Sequence, residues 1–194
     1  MIRSGAGARY TTAVLAAGAL LLPGCGGDRS SDTTDRTIGE PTSPTVDLGE
    51  DEIEVSLFFP GDGWYLLPEP RAMTRWSSPL DGARAVLTEV LAGPESEALI
   101  APLPDGVGLG EVHLTDDGRL YVDLLSTEHD RPPVEGSLAE LLTVFSLVDS
   151  VLLNLPEIDS VVLLWNGRQP ATFAGHVDTS LPLVADEDLL ASRR

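Results

Sequence analysis

Three histidines, 31 acidic residues and one cysteine are the raw material for chemistry in this 194-residue chain. Gly175-His176-Val177-Asp178 contains a His-x-Asp pair, a pattern that can place two ligands on zinc. A zinc site wants three or four ligands. Only 16 residues follow Asp178, and none is His. The segment is therefore expected to be a turn in which Asp and Ser cap backbone donors. Glu128-His129-Asp130 could hold a metal, or serve a hydrolase as acid and base, but a solvated acidic loop is the stronger expectation. His113 alternates with Val112 and Leu114, so it is expected to face solvent. Asp116-Asp117-Gly118 lacks the alternating acids and terminal Glu of a calcium loop and reads as a hairpin turn. Ser126, Ser137 and Ser180 have no elbow motif and no paired His. Gly108-Leu109-Gly110 does not precede a helix, so it cradles no phosphate. No catalytic residue, metal site or cofactor is expected.

The sole cysteine is different. Arg3 and Arg9 precede an apolar stretch from Ala13 to Leu22, which runs into Leu22-Pro23-Gly24-Cys25. This is a positive n-region, a short h-region and small residues at a cleavage point. The apolar run falls short of the roughly 20 residues that span a bilayer. The Leu-Pro-Gly-Cys tetrad resembles the lipobox of bacterial lipoproteins. That resemblance implies cleavage between Gly24 and Cys25, a diacylglycerol thioether on the Cys25 sulfur, and fatty acylation such as palmitate. One acyl chain binds a membrane only marginally, so firm anchoring takes two or more. Residues 1–24 are thus expected to be a signal peptide, with the mature domain lipid-anchored on the extracytoplasmic side of a membrane. In a two-membrane host that means the periplasm or the outer membrane.

Residues 25–52 shift to Gly, Ser, Thr, Asp and Pro with no apolar period. They read as a flexible tether with a reach of roughly 30 Å. The formal net charge is −19, all 12 bases are Arg, and there is no Lys. Such acidity argues against nucleic acid as a partner.

The elements that would position any site follow. Ile53, Val55, Leu57 and Phe59 alternate as a strand. Trp64 to Leu67 reads as its return strand, ended by Pro68 and Pro70. Ser78-Pro79 opens a helix that Gly93-Pro94 stops. Strands over Val107–Thr115 and Arg119–Leu124 flank the Asp-Asp-Gly turn. Ser137-Leu138-Ala139-Glu140 reads as a capping box. It opens a helix whose stripe is Leu138, Leu141, Phe145, Val148, Leu152 and Leu155, widened by Leu142, Val144 and Val151 and ended by Pro156. Val161–Trp165 is apolar throughout and is expected to be a central strand. Asn166-Gly167 is a strong hairpin signal, with a partner strand from Gln169 to Ala174. The expected fold is α+β: two helices packed on a mixed or antiparallel sheet, in the order β-β-α-β-β-α-β-β. The domain is expected over residues 53–185, with a loose charged tail at 186–194.

This order and its signposts resemble the GerMN domain of sporulation and spore-germination proteins. The matching segments are Ala85-Val86-Leu87 through Leu91-Ala92-Gly93-Pro94 and Leu103-Pro104-Asp105-Gly106-Val107-Gly108-Leu109. They continue through Asp117-Gly118-Arg119-Leu120-Tyr121-Val122-Asp123-Leu124, Ser146-Leu147-Val148, Val161 to Gly167, and Gly175 to Leu183. Together they span about residues 54–185, so no second domain is expected. The resemblance implies a non-enzymatic extracytoplasmic domain of the bacterial envelope. The expected role is binding another envelope protein, or itself, through a sheet face or edge. The alternative is a domain that binds a small ligand or a cell-wall fragment. Trp64, Tyr65, Arg75 and Trp76 form the one cluster with interface character, since Trp, Tyr and Arg favour binding hot spots.

Overall fold

The computed structural model describes residues 48–191. The expected signal peptide, Gly24, Cys25, most of the expected tether and residues 192–194 lie outside the described residues. The elements run β1 (Glu52–Pro60), β2 (Leu66–Thr74), α1 (Pro79–Ala92), β3 (Val107–Leu114), β4 (Arg119–Ser126), α2 (Ser137–Leu152) and β5 (Ser160–Trp165). The α+β class and the order through seven elements are as expected. Their strands form two sheets, an antiparallel β1-β2 pair and a mixed sheet ordered β3-β4-β5. β3 pairs antiparallel with β4, and β5 runs parallel to β4.

The eighth element differs. Asn166 (φ 51°) and Gly167 (φ 76°) do make the tight turn that their types favour, and Trp165 exchanges backbone hydrogen bonds with Arg168. Pairing then stops, because Pro170 has no N–H to continue a ladder. β4, not β5, is the middle strand; the outer edge of β5 is met by Leu183, whose backbone bonds that of Val161 in both directions.

β2 also departs from expectation. It runs through Pro68 and Pro70, which lie opposite Phe58 and Ser56 in non-hydrogen-bonded pairs. Their missing N–H groups therefore fall on the outer edge of β2, where nothing is lost. The inward partners, Ser56 and Phe58, turn their backbone the other way, towards α2. Ser150 Oγ accepts from Phe58 N at 2.9 Å, Ser146 Oγ donates to Phe58 O, and Asn154 bonds both N and O of Ser56. Ser146 and Ser150, four residues apart, share one face of α2, and Asn154 continues that row just past its end. They satisfy the second edge of β1 as a strand would.

The core is Val55, Leu57 and Phe59 of β1, Ala83, Val86, Leu87 and Val90 of α1, Val144, Leu147, Val148 and Val151 of α2, and the buried faces of β4 and β5. The buried face of α2 is thus shifted towards the widening residues Leu142, Val144 and Val151, leaving Leu141, Phe145 and Leu152 only half-covered. α1 begins as read: Ser78 Oγ accepts from Asp81 N at 3.2 Å, and Gly93 (φ 89°) ends it. Gly82 sits beneath the Trp76 ring, where a Cβ would come within 2.7 Å of the indole. Arg71, almost buried, binds Glu69, Glu89 and the carbonyl of Gly93, tying β2 to the end of α1. The expected loose tail is instead docked through Ala191. A 3₁₀ turn at Glu187–Leu189 precedes Leu190, which packs beside Phe58, Leu66 and Leu142. Ala191 N then bonds Leu66 O at 2.9 Å.

Candidate functional site

α2 carries two charged residues in 16, Glu140 and Asp149, and both are fully buried. Glu140 does not close a capping box. The helix is capped by Gly136 with no side-chain bond, and the Glu140 carboxylate points into the loop after β5. There it accepts from four consecutive backbone amides: Ala174 (2.7 Å), Gly175 (3.1 Å), His176 (2.9 Å) and Val177 (2.9 Å). The His176 ring adds its Nδ1 at 2.8 Å. Burial opposes the charge, but these donors outweigh it and hold the carboxyl at about 2. Its place in the first turn also favours an anion. The result is a backbone nest closed around a side-chain anion.

The pinned loop divides one pole of the domain. On one side, Trp64, Ser137, Leu138, Leu141, His176 and Val177 line a cavity of about 330 Å³. A neighbouring apolar cavity of about 530 Å³ shares Leu138 and is lined by Pro60, Ile100, Pro102, Pro104, Val134 and Leu142. On the other side, the loops after β4 and β5 enclose a cavity of about 420 Å³. Trp165 Nε1 donates to His129 O at 3.1 Å and locks these two loops together.

The residues singled out from sequence separate. Trp64 and Tyr65 are exposed (70% and 53%) at the β1–β2 tip, next to the cavities. Arg75 and Trp76 follow the far end of β2, roughly 30 Å away by strand rise. Trp76 is half-buried against the core. The four are not one patch. His176 does not act with Asp178; it faces Glu140, while Asp178 bonds Ser180. Ser137 shares a cavity with His176 but makes no hydrogen bond to it, so among the described residues the His–Glu pair is bonded to no nucleophile. Glu128-His129-Asp130 forms the wall of a polar cavity. Asp116-Asp117-Gly118 is the β3–β4 turn. Among the described residues no group of three or more His, Cys, Asp or Glu is placed to hold a metal ion, and no helix is long and apolar enough to cross a membrane.

The sequence pattern gives Glu140 only a capping role and gives Arg131 and Arg168 none. The signal for Glu140 was present: it is one of two charges in an otherwise apolar helix.

Two solved structures share the fold. The tandem GerMN domains of the sporulation protein GerM from Bacillus subtilis align with TM-score 0.56 and 17% identity, over 71% of this chain and 47% of that one. This chain thus spans about half the length of that tandem. The first GerMN domain of the same protein aligns with TM-score 0.55 and 15% identity, over 70% of this chain and 99% of that one. A search of curated proteins finds no match. The family model described as Germane, sporulation and spore germination, matches residues 56–171, and the chain belongs to that family.

Proposed function

We propose that this chain is a non-enzymatic, lipid-anchored module of the bacterial envelope that docks another envelope protein. The membrane anchor would be Cys25. The observation that carries the reading is polarity along the domain. The chain enters at Leu48, beside the Glu52 end of β1, while the apolar cavities and the exposed Trp64, Tyr65 and Ile100 gather about the Pro60 end. A tether attached at the first end leaves the second free to face away from the bilayer. Large exposed apolar patches on soluble domains mark interaction sites. The occupant expected there is an apolar segment of a second envelope protein. The β2 edge is a poor alternative, since Pro68 and Pro70 remove two donors from the middle of its outer rim.

A photo-reactive amino acid placed at Trp64, at Tyr65 or at Arg75 in the full chain tests this in cells. Cross-links to one protein from positions 64 and 65 but not from 75 are expected. Equal cross-linking from position 75, or only the chain itself captured, would discard this docking model. Mass spectrometry of the native N-terminus tests the anchor: an unmodified Cys25 thiol would remove it.

A further inference from the structure

β4 and β5 are a parallel pair, joined through α2 in a β-α-β unit. Crevices outside the carboxyl ends of parallel strands are where such units characteristically bind ligands. Here the two loops leaving those ends, 127–136 and 166–178, enclose the cavity of about 420 Å³. Its base is apolar: Trp165 and Phe173 pack edge to face with ring centroids 6.3 Å apart. Its walls are fixed before any ligand arrives. His129 O is bonded by the Trp165 indole, Ser126 N bonds Asn166 Oδ1 at 3.0 Å, and Glu140 clamps the amides of Ala174 and Gly175. Prebuilt walls lower the ordering cost of binding.

The charge of this cavity runs against the rest of the chain. Arg131 and Arg168 line it with one acid, Asp130, a local balance of +1 in a chain of −19. The neighbouring polar cavity carries Glu128, Asp130 and Glu135 against Arg131 alone. Arg71, Arg84 and Arg119 are each engaged by carboxylates, whereas Arg131 and Arg168 make no ion pair among the described residues. Guanidinium groups match the two oxygens of a carboxylate. A balance of +1 suits a monoanion, and the field of a strongly acidic chain disfavours anything more charged.

We propose that the crevice at the carboxyl ends of β4 and β5 binds a ligand bearing a single carboxylate, held by Arg131 and Arg168. The carboxylate comes from a peptide C-terminus or from a small free acid. The site is separate from the apolar docking surface and does not depend on it.

The full chain in detergent micelles, isotopically labelled, supplies the test. The Trp165 indole N–H and the Gly175 amide report by NMR during titration with N-acetyl-Ala-Ala, its C-terminal amide, acetate and inorganic phosphate. Saturable shifts with the free acid, at least tenfold weaker with the amide, are expected. The double variant R131Q/R168Q should weaken acid binding at least tenfold, while R75Q, at the other pole, should not. Both arginines are exposed, so the double variant should keep its unfolding midpoint. Acetate matching the peptide identifies a small acid as the source; a peptide that binds more tightly identifies a C-terminus. No shift with either acid, equal shifts with acid and amide, tighter binding of phosphate, or full binding by R131Q/R168Q would each overturn the assignment.

Discussion

Glu140 and Asp149 lie nine residues apart on one helix, both with no exposed surface, and they titrate in opposite directions. Glu140 is held at about 2. Burial pushes Asp149 up to about 7, with Asp186 and Glu187 adding repulsion against a single bond from Asp186 N at 3.1 Å. Its Oδ2 has no hydrogen-bond partner among the described residues. Burial alone therefore decides nothing. The count of donors does, together with position: Glu140 has the first turn of the helix, and Asp149 sits near the C-terminal end, where the dipole repels an anion.

The largest expected effect removes the favourable member. E140Q should lose about 3–5 kcal/mol at pH 7 in urea unfolding, because one carboxylate serves four backbone donors. The sign follows from the lowered pKa: the wild-type contribution is complete above the ordinary 4.5 and fades as pH falls towards 2. The gap between E140Q and wild type should therefore narrow on acidification. A constant gap would break the comparison at its first term.

D149N should act in reverse. The folded state keeps a proton that the unfolded chain releases above the ordinary 3.8, so stability falls as pH rises from about 4 to about 7. D149N should gain about 2–3 kcal/mol at pH 8 and nothing at pH 4, read by thermal unfolding across pH. Wild-type stability should then peak between these windows, near pH 4–5.

The same helix carries the hydroxyls of Ser146 and Ser150. S146A and S150A should each cost about 1–3 kcal/mol, since each leaves a Phe58 backbone group without its partner. The smallest effect sharpens the other end of the scale: L190A, at the docked tail, should cost about 1 kcal/mol and leave the Glu140 pH window unmoved.

Much of this architecture was legible in the residue pattern. Ser78-Pro79, Gly93, Asp116-Asp117-Gly118 and Asn166-Gly167 each act through local backbone preferences, and each formed what its type favours. The contacts that the pattern does not show share one cause. Glu140, Ser146, Ser150 and Asn154 were local in sequence but serve distant backbone, in the loop at 174–177 and in β1. A capping-box pattern cannot reveal that its Glu has a better-placed set of donors 34 to 37 residues away. Pro68 and Pro70 misled for a related reason, because a proline ends a strand only if its nitrogen faces a partner. The crevice between the β4 and β5 loops was invisible until the parallel pairing brought Arg131 and Arg168 together.

The outer rim of β2 has one more consequence. A protein held on a surface by its N-terminus meets its own copies far more often than one free in three dimensions, because they share a plane. Crowding of that kind rewards any exposed strand that can template another. With no N–H at Pro68 and Pro70 and Ala191 covering its end at Leu66, the outer rim of β2 offers neighbouring copies little ladder to extend. Under the proposed anchoring, such a rim keeps crowded copies from joining through β2.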